Sequence, residues 1–122
     1  MSFILQPKRG DDVKINAWNW VPTLIILDRN RVLPAEQLQR MRYNGAGGSA
    51  EADDAHRIST FLDTFLLKLQ PGQRVLWDGS VTSEPDTFEV HHDDPTKNYS
   101  ATYDWLLRFR DFCRQSEGFD VL

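Results

Sequence analysis

The 122-residue chain carries 14 Lys and Arg against 18 Asp and Glu, a formal charge of −4, with 40% apolar residues and four Trp, three Tyr and seven Phe. That length and aromatic content predict one folded domain around one core, and exclude a disordered tail. No apolar run approaches the roughly 18 residues of a membrane span, Lys8-Arg9 follows the first apolar residues where a secretory signal would place it ahead of them, and the single Cys113 forbids an intrachain disulfide, so a cytoplasmic location is expected.

Residues 3–5 read as a short edge strand, and Pro7 to Asp12 as a polar turn. A short helix is expected from about residue 20 to 29, with Asn19 ahead of Trp20 and Pro22 in the first turn, where its missing N–H costs nothing. Pro34 opens a second short helix in which Leu38 and Met41 form an i, i+3 apolar pair, and Asn44-Gly45 stops it.

The third element is the clearest. Ser49 can cap a helix whose first turn holds Glu51, Asp53 and Asp54, at the positive end of the helix dipole. Ala55, Ile58, Leu62, Phe65, Leu66 and Leu69 follow at spacings of three and four, which places them on one face of a long central helix ended by Pro71-Gly72.

Arg74 to Trp77 and Thr87 to His91 are strand-like, bracketing turn chemistry at Asp78-Gly79-Ser80 and Glu84-Pro85-Asp86. A long last helix, capped by Asn98 or Ser100, carries Trp105, Leu106, Phe109, Phe112 and Cys113 on one face. Gly118 closes it in a left-handed cap, and Phe119 to Leu122 finish as a short strand. The fold class expected is therefore α+β, helix-dominated: two short N-terminal helices, a long central helix, a small antiparallel β element around residues 74–91 and a long C-terminal helix, in a single domain spanning 1–122.

The run from Tyr43-Asn44-Gly45 through Ala55, Ile58 and Leu62, with the tail from Trp105 to Phe119, resembles a loose group of small uncharacterised bacterial proteins. They share a Trp-bearing first helix, an Asn-Gly turn feeding an acidic-start helix, and an aromatic last helix ending in Gly-Phe. The resemblance spans about the last two-thirds of the chain. It implies a bacterial origin and a compact, mostly helical domain, and it implies no activity.

Motifs that carry chemistry are sparse. His91-His92-Asp93-Asp94 is the only cluster of metal-ligand types, but adjacent histidines on a strand point to opposite faces and cannot converge on one ion, so no metal is expected. Gly45-Ala46-Gly47-Gly48-Ser49 lacks the preceding strand and the Lys of phosphate-binding loops and reads as a connector, so no cofactor is expected. Cys113 lies among Phe109 and Phe112, where a thiol is a small hydrophobe; no catalytic residue stands out, and the chain is expected not to be an enzyme. Trp18, Trp20, Trp77, Tyr99, Tyr103 and Trp105 suit either a core or a contact surface, with Trp20, Trp77 and Trp105 assigned to the core and Tyr99 and Tyr103 to the surface.

Charge is unevenly distributed. Residues 1–48 hold seven basic and four acidic groups, a balance of +3, and residues 49–122 hold seven basic and fourteen acidic, a balance of −7. No Lys or Arg occurs between Arg74 and Lys97, so Asp78, Glu84, Asp86, Glu89, Asp93 and Asp94 create a negative local potential that disfavours nucleic acid. The functional expectation is a small acidic protein-binding module, of the immunity type that neutralises a basic protein partner, with Glu84, Asp86, Glu89, Asp93 and Asp94 as the binding residues and no membrane or nucleic-acid partner. The alternative is a small-ligand binder or enzyme with a pocket near His91-His92-Asp93-Asp94, between the central helix and the β element.

Overall fold

The computed structural model describes residues 2–84 and 99–122. Strand β1 (Ser2–Pro7) turns back through the polar Lys8–Asp12 segment into β2 (Val13–Asn16), and both alternate buried and exposed side chains. Such alternation is what a strand with one face on a core requires. Phe3 pairs with Ile15 and Leu5 with Val13, all four pointing inward. The chain's last strand, β7 (Phe119–Val121), joins the other side of β1, and β3 (Ser49–Ala50) joins β7, giving the antiparallel order β2-β1-β7-β3. The first strand is therefore central in its sheet and not an edge, because the two chain ends pair with each other.

Helix α1 (Ala17–Arg29) begins three residues earlier than the sequence pattern predicts. Asn16 Oδ1 accepts the Asn19 amide at 2.9 Å, so Asn16 is the cap and Asn19 lies inside the helix. Pro22 sits within the helix, past its first turn. The helix is buried nearly all round, through Trp20, Val21, Leu24, Ile26 and Leu27, because it touches strands of both sheets and α2 (Ala35–Met41). The helix at the heart of the molecule is thus α1. Helix α2 presents Leu38 and Met41 inward, as their spacing predicts.

Helix α3 (Ala52–Leu66) is capped by Glu51 and not by Ser49, which belongs to β3. Glu51 and Asp54 form a reciprocal capping box, and Gln37 Nε2 donates to the same Asp54 carboxylate at 2.9 Å. Ala55, Ile58, Leu62 and Leu66 are buried and Phe65 is half-buried; the helix ends at Leu66 and does not run to Pro71-Gly72, and Leu69 is buried from the turn that follows it. That stripe packs against α4 (Tyr103–Ser116), whose Trp105, Leu106, Phe109 and Cys113 face it and the core. On the outer side, Arg114 Nη2 reaches both oxygens of Asp63, at 2.7 and 2.8 Å.

A second antiparallel sheet has the order β5-β4-β6, from β4 (Arg74–Leu76), β5 (Val81–Thr82) and β6 (Ser100–Thr102). Asp78-Gly79-Ser80 is the turn between β4 and β5, as its composition predicts. Ser100 lies in β6, and the α4 cap is Thr102, whose hydroxyl accepts the Trp105 amide at 3.1 Å; Asn98, the other cap considered, lies outside the described residues, as does the expected strand from Thr87 to His91. The fold is α+β, with four helices and two antiparallel sheets among the described residues. Seven strands are present among the described residues, where the sequence pattern predicts short strands at 3–5 and 119–122 and a small β element around 74–91, and α1, at 13 residues, is nearly as long as α3 and α4.

Candidate functional site

Four side chains from distant parts of the chain meet at the surface beside the second sheet. Trp18 and Trp20 are two residues apart on α1, about 200° around its axis, so burying Trp20 completely turns Trp18 outward, where it is 41% exposed. Tyr99, immediately before β6, lies 4.6 Å from Trp18 by ring centroids and 4.8 Å from Trp77, the first residue after β4. The Arg42 guanidinium, from the C-cap of α2, sits 5.8 Å above the Trp77 ring as a cation–π contact. Trp77 and Tyr99 are half-buried.

The interplanar angles, 56° for Trp18–Tyr99 and 77° for Trp77–Tyr99, are those of inclined or edge-to-face pairs, in which the positive ring edge meets the negative face. The arrangement leaves a rigid, amphipathic surface of indole, phenol and guanidinium groups. Trp77 belongs to this surface and not to the core, whereas Trp20 and Trp105 are core residues as expected, and Tyr103 is half-buried. The Trp18/Trp20 spacing carried the signal for an outward Trp18. Nothing local could have brought Arg42 to Trp77, 35 positions further along.

The neighbouring turn is held firmly. Asp78 Oδ1 accepts both the Ser80 amide, at 2.9 Å, and the Ser80 hydroxyl, at 2.6 Å. Those two hydrogen bonds, the hydroxyl's first, hold the Asp78 carboxyl below its ordinary range. Arg29 Nη1 donates to the Asp78 carbonyl oxygen, tying α1 to the turn.

Of the acidic residues singled out in the sequence, Glu84 is exposed, and its backbone carbonyl accepts Arg74 Nε at 2.9 Å. Its carboxylate makes no ion pair among the described residues. Asp86, Glu89, Asp93 and Asp94 lie outside the described residues, together with His91 and His92. Arg110 pairs with Asp63 and Asp111. Among the described residues no three His, Cys, Asp or Glu side chains are grouped to hold a metal ion, and no helix is long and apolar enough to cross a membrane.

The Gly45–Ser49 run leads into β3 and connects it to α2, without cradling a helix N-terminus. Cys113 is buried, and burial pushes its thiol well above the usual range. His56 stands exposed on α3. Compared with known families, curated proteins and solved structures, the chain matches none.

Proposed function

We propose that the chain is a protein-binding module whose partner is a basic protein, and that it acts by occupying that partner as an immunity-type protein does. The observation that carries this reading is the Trp18–Tyr99–Trp77–Arg42 cluster, in which Trp18 is exposed and the other three are half-buried. It stands at the root of the acidic stretch, since residues 85–98 leave from Glu84 and return at Tyr99. Trp, Tyr and Arg are the types most often found at energetic hot spots of protein interfaces, because they bury much area for few rotatable bonds. The sequence from Asp78 to Asp94, with no Lys or Arg between Arg74 and Lys97, carries a negative charge that would steer a cationic partner and raise its association rate. Aromatic faces also accept the Lys and Arg side chains such a partner carries.

The test uses two helical peptides of equal length, one Lys-rich and one Glu-rich, with the intact chain. Trp fluorescence is expected to respond saturably to the Lys-rich peptide alone, with an association rate that falls as salt is raised. Trp18→Ala is expected to weaken binding, and joint replacement of Glu84, Asp86, Glu89, Asp93 and Asp94 by Gln or Asn to slow association without moving the melting temperature. An equal response to the Glu-rich peptide, or unchanged association after those replacements, would overturn the reading.

A further inference from the structure

Asn44-Gly45 is the only Asn-Gly pair in the sequence, since Asn16, Asn19, Asn30 and Asn98 are each followed by a residue with a side chain. The pair forms the middle of a four-residue turn after α2, closed by the Ala46 amide donating to the Tyr43 carbonyl at 3.4 Å. Gly45 has φ +71°, the positive value that the third residue of such a turn needs, and a turn closed by its fourth amide makes no use of the third. Asn44 and Gly45 are both exposed, and a Cβ at Gly45 would meet nothing within 4 Å. A recess of about 280 Å³, lined in part by Gly45, Gly47 and Leu122, brings water to the same place.

The Asn44 side chain also ties two strands together. Its Nδ2 donates to the Ser2 carbonyl at 2.9 Å and to the Leu122 carbonyl oxygen at 3.1 Å. Ser2 begins β1 and Leu122 follows β7, and these strands meet there in the reciprocal Ile4–Leu122 pair, at 3.2 and 2.9 Å. One side-chain amide thus bridges the two central strands of the four-stranded sheet. A carboxylate in its place has no N–H to give and sets a negative charge against two carbonyl oxygens.

From this combination we infer that Asn44-Gly45 is a site of spontaneous deamidation, and that the change unlatches β1 from β7. The Gly45 backbone nitrogen, giving its proton to hydroxide, forms a bond to Asn44 Cγ; the Cγ–Nδ2 bond breaks and ammonia leaves. Water then opens the succinimide ring at either carbonyl, leaving an aspartyl or an isoaspartyl link to Gly45. One water is consumed and one ammonia released, with no oxidant, reductant or cofactor. Asp78-Gly79 is the other pair that could close this ring, but there the Gly79 amide donates to the Leu76 carbonyl at 2.9 Å and Ser80 holds the Asp78 carboxylate twice. Ammonia lost to bulk water does not return, so the latch opens once and marks the age of the folded chain.

The experiment incubates the full purified chain in mildly alkaline buffer and follows it by tryptic mapping and amide hydrogen exchange. Cleavage after Arg42 and Arg57 releases Asn44 in a peptide that holds no other Asn or Gln. Asn44 is expected to convert at least about tenfold faster than the other asparagines of the same folded sample, because no Cβ crowds the attacking nitrogen. The Ile4 and Leu122 amides of the converted fraction are expected to exchange about tenfold faster than before, with the amides of α3 unchanged. Asn44→Asp should reproduce that exchange and lower the melting temperature by roughly 3–10 °C. Gly45→Ala should slow conversion, but it also strains the turn, so the comparison among wild-type asparagines decides the chemistry. An Asn44 rate within a few-fold of the other asparagines would overturn the site. Unchanged exchange at Ile4 and Leu122 in both the converted fraction and Asn44→Asp would overturn the latch.

Discussion

The indole N–H of Trp105 donates to Thr23 Oγ1 at 2.9 Å, joining α4 to α1 across 82 residues of chain. Thr23 passes the bond on, its hydroxyl donating to the Asn19 carbonyl at 2.8 Å, so one buried threonine satisfies a tryptophan and a turn of its own helix. Thr23→Val keeps the volume and removes the acceptor, leaving the indole N–H unpaired in the core. A loss of about 1–3 kcal/mol is expected in urea unfolding, with Thr23→Ser recovering part of it. A valine variant as stable as wild type would show that the bond contributes nothing net.

On α3, Leu62 is fully buried and Phe65 only half-buried. Leu62→Ala should cost about 2–5 kcal/mol, and Phe65→Ala distinctly less than the usual cost of emptying a buried aromatic site, since water already reaches that ring. The order of the two midpoints in chemical denaturation decides whether the face toward α4 is the one described.

At the end of α4, Gly118 has φ +107°, and a Cβ there would lie 2.8 Å from the Ala50 carbonyl oxygen on the neighbouring strand. Gly10 has a similar φ of +103° but open space around it. Gly10→Ala should therefore lose about 1–2 kcal/mol from backbone strain alone. Gly118→Ala should lose more, because β3 must also move. Equal melting temperatures for the two variants would contradict the close approach of β3.

The depressed Asp78 carboxyl gives a signed pH dependence. A carboxylate whose folded pKa lies below its unfolded value contributes stability that is present above the unfolded value, near about 3.9, and is lost as pH falls through the folded one. The group is fully exposed, so the effect on global stability is small. Its clear readout is an NMR titration, in which Asp78 should titrate below an ordinary aspartate and Ser80→Ala should return it toward the ordinary value.

Cys113, buried in the core with its thiol raised by burial, should resist a thiol reagent in the native chain at neutral pH and react only as the domain unfolds. Modification at the rate of a free thiol would mean that the α4 face opens on its own.

Local spacing alone determined the helices and their buried faces. The stripe from Ala55 to Leu66 and the Trp105–Phe109–Cys113 face were legible, because residues three or four apart on a helix must share a side whatever surrounds them, whereas the left-handed cap of α4 falls on Glu117, with φ +59°, one residue before Gly118. The caps at Glu51 and Thr102 were displaced from the positions inferred because Ser49 and Ser100 are spent in strands, and strand membership depends on a partner elsewhere in the chain. Ser100-Ala101-Thr102 has too little apolar alternation to announce itself, and it is a strand only because Arg74–Leu76 pairs with it. β1 became central through pairing with the last strand, and Trp77 moved from core to surface through Tyr99 and Arg42. Pairings of this kind join residues tens of positions apart, and no periodicity within either segment encodes them; only the closed tertiary structure decides which edges and rings meet.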